Sequence, residues 1–283
     1  GDTGFVLGAT VVEQLRTFAG KVFRLGDHLA RLQRSLQIAG IEPGIGIERF
    51  AEVAEELAAR NHRLLDDGDD LGLCIFVTPG PYPSYPPDGA SGPTVCLHTY
   101  PLPFHLWSDT YSKGQPLATV EVEQISPQTL PPELKCRSRM HYYLADRQAA
   151  ATEPGARALL LDSQGMVTET STANVLIYRQ AEGLVSPPPE KILHGISLAE
   201  LAALAAESHI PMVHREISPD EVAEADEVLL CSTPYCLLPA TRLDGRRIGP
   251  GEPGPVFAGL LDSWSKRSGV DIAAQARRFS SRR

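Results

Sequence analysis

The chain has no apolar run of the ~18 residues that a membrane-spanning helix needs, and its first residues carry no charged-then-apolar leader. It also has no basic excess. The 26 Lys+Arg against 35 Asp+Glu leave a net charge of −9, so neither nucleic acid nor a membrane is expected as a partner. There is no CxxC pair. Five scattered cysteines (Cys74, Cys96, Cys136, Cys231 and Cys236) suit neither a disulfide framework nor a structural metal site. Free thiols in a reducing compartment fit them better, with the cytoplasm as the default. Lysine is scarce: Lys21, Lys113, Lys135, Lys191 and Lys266 are the only ones among 26 cations, so lysine chemistry would have few candidates. What is present is an ordinary folded composition, 42% hydrophobic and 22% charged over 283 residues, enough for one large domain or two modest ones.

Hydrophobic periodicity organises the chain into two halves. Short strands are expected over Thr10–Leu15 and Lys21–Leu25, around a turn at Ala19-Gly20. A helix follows, with Asp27 as N-cap, Leu29, Leu32 and Leu36 at helical spacing, and Gly40 as its stop. A second helix is expected over 46–64, then strands at Leu71–Thr78 and Thr94–Tyr100 separated by the loop Pro79–Pro93. Residues 101–117 read as an interdomain connection, which sets the expected domains at 1–112 and 113–283. The second half should hold a strand near 118–123, a helix over about 138–152, and strands at Ala158–Asp162, Met166–Glu169, Asn174–Tyr178 and Leu184–Ser186. A helix opening at Ser197, with Glu200 three residues on, has the capping-box pattern. Strands near 212–216 and 227–231 flank a short helix near 219–225. The fold class is mixed α/β (α+β), with hairpins as well as crossovers, and a regular doubly wound sheet is disfavoured.

Several residues could carry chemistry, and each has a plain structural reading beside it. Gly195-Ile196-Ser197 opens a helix, whose free amides suit a phosphate but are as easily an ordinary helix start. Ser232-Thr233 offers hydroxyls and amides at a strand exit. Arg31 lies opposite the leucine face of its helix beside His28 and Ser35, where a solvated arginine is common. Glu169 sits in an alternating strand and Lys135 after a Pro-rich turn, positions usually open to solvent.

Taken in order, these residues resemble a known family. The run Asp2-Thr-Gly-Phe5, Glu13-Gln-Leu-Arg16, His28-Leu-Ala-Arg31-Leu32 and Ser35 is similar to the opening of the class IV aminotransferases. The likeness continues through Lys135, Leu159–Asp162, Gly165-Met-Val-Thr-Glu169, Asn174-Val-Leu, Leu193-His-Gly195-Ile196-Ser197, Ala225–Val228 and Ser232-Thr233. That family includes branched-chain and D-amino-acid aminotransferases and aminodeoxychorismate lyase. The resemblance implies a two-domain fold with pyridoxal 5'-phosphate between the domains, a homodimer, and transfer of an amino group between an amino acid and a 2-oxo acid. It implies that Lys135 attaches the cofactor aldehyde and shuttles the substrate α-proton, which calls for an amine of depressed pKa. Glu169 would pair with the pyridine nitrogen. Arg31, Ile196, Ser197 and Thr233 would hold the phosphate, and Leu193 would pack under the ring.

The chain also departs from the family pattern. Met140 stands where relatives often have a tyrosine, and the 71–78 strand lacks the Tyr and Arg of branched-chain enzymes. Pro79-Gly-Pro-Tyr-Pro-Ser replaces the Arg…His pair of D-amino-acid enzymes. The chain opens directly on Asp2-Thr-Gly-Phe5, without the short strands usual before it, so a truncated or divergent start is expected. With those carboxylate anchors absent, Arg139, and less so Arg137, is the candidate for the substrate carboxylate, or else the segment around Ser232–Tyr235. A carbon–carbon lyase of the aminodeoxychorismate type, or a degenerate cofactor-binding protein, remains as an alternative.

Overall fold

The computed structural model describes residues 1–84, 88, 89 and 91–282. The expected loop at Pro79–Pro93 therefore includes residues 85–87 and 90, which lie outside the described residues. The chain forms two compact units: Gly1–Leu102 with Glu133–Arg139, and Pro103–Pro132 with Met140–Arg283. Relative to the expected division at 112, the connection from Pro103 onward belongs to the second unit, and the segment containing Lys135 belongs to the first.

The first unit runs α1 (Thr3–Val6), β1 (Val11–Phe18), β2 (Lys21–Val22), α2 (Leu25–Ala39), α3 (Ile47–His62), β3 (Leu71–Thr78) and β4 (Thr94–Pro101). The strands form an antiparallel sheet in the order β2-β1-β3-β4. Alternation along β1 and β3 sends Val11, Leu15, Leu73, Ile75 and Val77 into a core with Leu29, Leu32 and Leu36 of α2 and Phe50 and Ala54 of α3. Asp27 is not the N-cap of α2. Arg24 holds that place in a left-handed conformation, and Asp27, within the first turn, accepts a hydrogen bond from its guanidinium (2.7 Å). Gly40 ends the helix, also left-handed.

The second unit contains α4 (Thr110–Lys113), β5 (Gln115–Thr119), α5 (Met140–Thr152), β6 (Arg157–Leu161), β7 (Val167–Thr170), β8 (Asn174–Arg179), β9 (Gly183–Ser186), α6 (Ile196–Glu207), β10 (Met212–His214), α7 (Pro219–Ala223), β11 (Glu227–Ser232), β12 (Cys236–Leu243), β13 (Arg246–Arg247), α8 (Pro255–Ser268) and α9 (Ile272–Arg278). The sheet order is β10-β9-β8-β11-β12-β5-β6-β7, and β7 pairs back to β8. Six strands thus close on themselves as a barrel, which removes their free edges. Helix α5 packs Ala145 and Ala149 on Ala118, Ala158 and Leu160 of β5 and β6. Small residues there let the helix lie close to the strands.

The expected capping box at Ser197 is absent. Glu200 turns into the core side and accepts from Arg267 (2.8 Å), while a true capping box forms at Ser218 and Glu221 at the start of α7. The difference is burial: Glu200 is covered and has a cation to meet, so it is not available to its own helix end.

The β1–β2 turn shows how local conformation and a buried charge cooperate. Ala19 and Gly20 both have positive φ (48° and 78°), as a two-residue hairpin turn requires. The buried carboxylate of Asp70 accepts from the Thr17 hydroxyl (2.6 Å) and from the Ala19 and Gly20 amides (3.2 and 3.1 Å). Asp70→Ala would leave three donors without this acceptor and should destabilise the full chain by roughly 2–3 kcal/mol in urea unfolding. A loss below about 0.5 kcal/mol would mean that the turn residues suffice without the carboxylate.

Candidate functional site

The candidate residues fall in both units. Arg31, Lys135 and Arg139 belong to the first, and Glu169, Leu193, Ile196, Ser197, Ser232 and Thr233 to the second.

In the first unit the organising group is Glu13. Alternation on β1 places it between Val11 and Leu15 on the core face, where its side chain is fully buried. Arg31 of α2 meets it with a two-pronged contact, Nε to Oε1 and Nη2 to Oε2, both 2.8 Å. His28, one turn earlier, donates from Nδ1 to Oε2 (2.7 Å). Burial pushes the Glu13 carboxyl up, but the Arg31 charge and the hydrogen bonds from Arg31 and His28 outweigh it and hold the group at about 2. His28 is lowered, first by burial; the Arg31 and Lys135 charges act in the same direction, against the pull of Glu13. Its Nε2 is buried with no hydrogen-bond partner among the described residues.

Lys135 lies beside this cluster in an extended segment. Its amide donates to Ser35 Oγ of α2 (3.2 Å), and its carbonyl accepts from Val12 N (3.0 Å). Arg137 N donates to Thr10 O (2.8 Å), and Cys136 pairs opposite Val11. Thus β1 and α2 together fix the Lys135 backbone. Helix α5 begins at Met140, not near 138 as expected, so Arg139 lies half-buried at the end of the extended segment and not on the helix.

In the second unit Glu169 is buried on β7, not on the sheet surface. Its Oε1 accepts from the Tyr142 hydroxyl (2.6 Å) and Gln124 Nε2 (2.9 Å), and its Oε2 from Leu193 N (3.3 Å). Asn174, paired with Glu169 across the β7–β8 hairpin, donates from Nδ2 to Leu193 O (2.9 Å). Adjacent strands therefore grip both sides of Leu193 and deliver the chain to α6. A Cβ on Gly195 would lie 2.1 Å from Asn174 Oδ1, so only glycine fits that approach. Helix α6 consequently starts with no side-chain cap. The Ile196, Ser197 and Leu198 amides and the buried Ser197 hydroxyl have no acceptor among the described residues. The β11 exit lies one strand over, since Cys231 pairs with Asn174; there Ser232 donates to Thr172 O (2.6 Å), and Thr233 is half-buried in the turn.

Glu13, Tyr142, Gln124 and Asn174 were not singled out from sequence. Glu13 did leave a signal, a carboxylate between two core valine and leucine positions. Tyr142 and Gln124 left none, because their role depends on a carboxylate distant in the chain.

Comparison with known proteins fits this geometry. The profile of the family described as Amino-transferase class IV matches residues 10–243, and the chain belongs to that family. It is an enzyme of amino-group transfer. It is 28% identical over 90% of its length to D-alanine aminotransferase of Bacillus licheniformis, covering 86% of that protein. It is 29% identical to a putative branched-chain-amino-acid aminotransferase of Methanocaldococcus jannaschii, over 93% of this chain and 88% of the other. The solved branched-chain amino acid aminotransferase of Escherichia coli shares the fold with a TM-score of 0.83 at 22% identity, over 94% of this chain and 87% of that one.

The Glu13 cluster predicts an acid-sensitive fold. Below 6.5 the unfolded chain protonates His28 while the folded chain resists, so stability starts to fall there as pH drops. Glu13 adds a second loss between its ordinary 4.5 and about 2, worth roughly 3 kcal/mol in total. Denaturant midpoints followed from pH 8 to 4 should decline in wild type and flatten between pH 6.5 and 5 in His28→Asn. Parallel profiles would show that His28 does not set this limb.

Proposed function

We propose that the protein binds pyridoxal 5'-phosphate and uses it to move an amino group between an amino acid and a 2-oxo acid. The observation that carries this reading is the start of α6, where three amides and the Ser197 hydroxyl lack acceptors among the described residues, beside a leucine held by Glu169. Such a helix start suits a phosphate. The residues present fit the cofactor: a helix start reached through a glycine packed on Asn174, a buried carboxylate held by hydrogen bonds, and a lysine whose backbone is pinned on two sides.

In this reading the Ile196 and Ser197 amides, the Ser197 and Thr233 hydroxyls, and Arg31 hold the phosphate. Leu193 packs under the ring. When bound, the cofactor would supply an aldehyde to take the amino group and a ring to take up the electron pair left on the α-carbon when its proton departs. Lys135 Nζ would hold the cofactor at its aldehyde and carry the α-proton. Glu169 holds a proton at the pyridine nitrogen, which its fixed carboxylate favours electrostatically. Arg31 is kept in orientation by its two contacts to Glu13. We also read the protein as a homodimer, because Met140, Tyr143 and Leu144 form an exposed apolar stripe at helical spacing on α5. Five free thiols suit a reducing compartment such as the cytoplasm.

Borohydride reduction of the cofactor-loaded protein, followed by peptide mapping, should place the adduct on Lys135. An adduct on Lys21, Lys113, Lys191 or Lys266, or none, overturns the proposal. Glu169→Gln should retain the adduct yet turn over about 10- to 100-fold more slowly, the loss expected with a charge-assisted hydrogen bond. Unchanged turnover would mean that Glu169 has no part in the chemistry. Release of pyruvate from an amino-deoxychorismate substrate without amino transfer would indicate the lyase activity instead.

A further inference from the structure

The sheet of the first unit has a second face, opposite the one covered by α2 and α3. On it Gln14 of β1 stands beside Cys74 of β3, and Tyr100 of β4 opposite Gly72. The Tyr100 ring lies across Gly72, where a Cβ would come within 2.6 Å of its hydroxyl oxygen. That position lets the hydroxyl accept from Gln14 Nε2 (3.0 Å). The hydroxyl's own hydrogen has no acceptor among the described residues. Burial raises the Tyr100 pKa, so the group remains a donor at neutral pH.

Arg137 reaches the same face. Cys136 pairs opposite Val11, a core-face residue, so Lys135 and Arg137 on either side of it take the other face by alternation. Arg137 Nη2 lies 3.8 Å from Cys74 Sγ, and its charge acts on both Cys74 and Tyr100. The guanidinium is exposed and has no carboxylate partner among the described residues. Several other arginines of the first unit pair with acids, as in Arg24–Asp27, Arg31–Glu13 and Arg34–Glu133. The three rows of side chains between Tyr100 and Cys96 include no carboxylate. A planar cation met by the weak Cys74 Sγ acceptor and a neutral O–H donor thus share one face with no carboxylate among the described residues to accept from them.

We propose that Arg137 and Tyr100 bind the α-carboxylate of the amino acid and of the 2-oxo acid. This rests on the amino-transfer reading above. A carboxylate is the group that can accept from a guanidinium and a phenol at once. Lys135 and Arg137 are two residues apart in an extended segment, roughly 6.6 Å along the backbone. Two long side chains from such positions can address neighbouring groups of one small molecule. An α-amino acid has its nitrogen and carboxylate on the same carbon, as this arrangement needs. The lysine meets the amino end and the arginine the acid end.

The test uses cofactor-loaded enzyme and a panel of D- and L-alanine, leucine and glutamate, with the carboxamide of each. For the best donor, Arg137→Ala should lower kcat/KM about 10- to 100-fold, mainly through KM. The carboxamide, which has no negative charge, should change by less than about 3-fold. Tyr100→Phe should give a smaller loss with the same selectivity, and Arg137→Lys should remain impaired because a point charge does not replace the fork. Borohydride mapping of each variant on Lys135 shows that the cofactor site is intact. Equal losses for acid and carboxamide, or no loss for the acid, overturn the proposal while leaving the functional reading standing. Failure of wild type to carry the cofactor on Lys135 overturns both.

Discussion

A fully buried carboxylate governs the first unit. Glu13 is carried into the core by the alternation of β1, and a charge there is strongly unfavourable unless it is matched. The match comes from one flank of α2: Arg31 with two hydrogen bonds and His28 with a third. Those contacts fix the rotation of α2 about its own axis. Ser35, one turn beyond Arg31 on the same flank, is thereby aimed at the Lys135 amide. The position of the lysine backbone is thus a consequence of where Glu13 must find its counter-charges. The arrangement has a cost in His28 Nε2, which is buried with no hydrogen-bond partner among the described residues.

Glu169 shows the opposite way of burying a carboxylate. Among the donors that orient it are a phenol, a side-chain amide and a backbone N–H, each of them neutral. Neutral donors fix direction without cancelling charge, whereas the Arg31 fork at Glu13 does both. The first arrangement suits a group whose field is to act on something else. The second suits a group that is itself structural.

Much of this was legible in sequence wherever a local pattern decides the outcome. The 71–78 strand, the two-residue turn at Ala19-Gly20 and the stop at Gly40 follow from a short apolar run, left-handed backbone and the αL closure of a helix. The misreadings share one cause: a polar residue near a helix end looks like a cap until its tertiary partner is known. Asp27 is engaged by Arg24 and Glu200 by Arg267, whereas Ser218 and Glu221 do cap. Elements after residue 231, including β12, α8 and α9, were not anticipated. The β12 run Cys236–Leu243 carries Pro239, a residue that reads against a strand interior. At the candidate site the family likeness supplied Lys135, Glu169 and the α6 start. It gave no role to Glu13 and did not supply Tyr142 or Gln124, whose partners are 15 to 45 residues away.

The α6 start also explains why a helix can begin here without a cap. Asn174 and Glu169 come from paired positions on neighbouring strands and hold the Leu193 carbonyl and amide from the two sides. With the incoming chain fixed by tertiary contacts, the helix does not need a side chain at its N-cap to set its entry angle. Gly195 then serves by size alone, since any larger residue would drive into Asn174. A serine or aspartate there would satisfy an amide that the present arrangement leaves unmet. Local helix stability has been given up in exchange for open donors, and the strands of the barrel hold the geometry that a cap would otherwise provide.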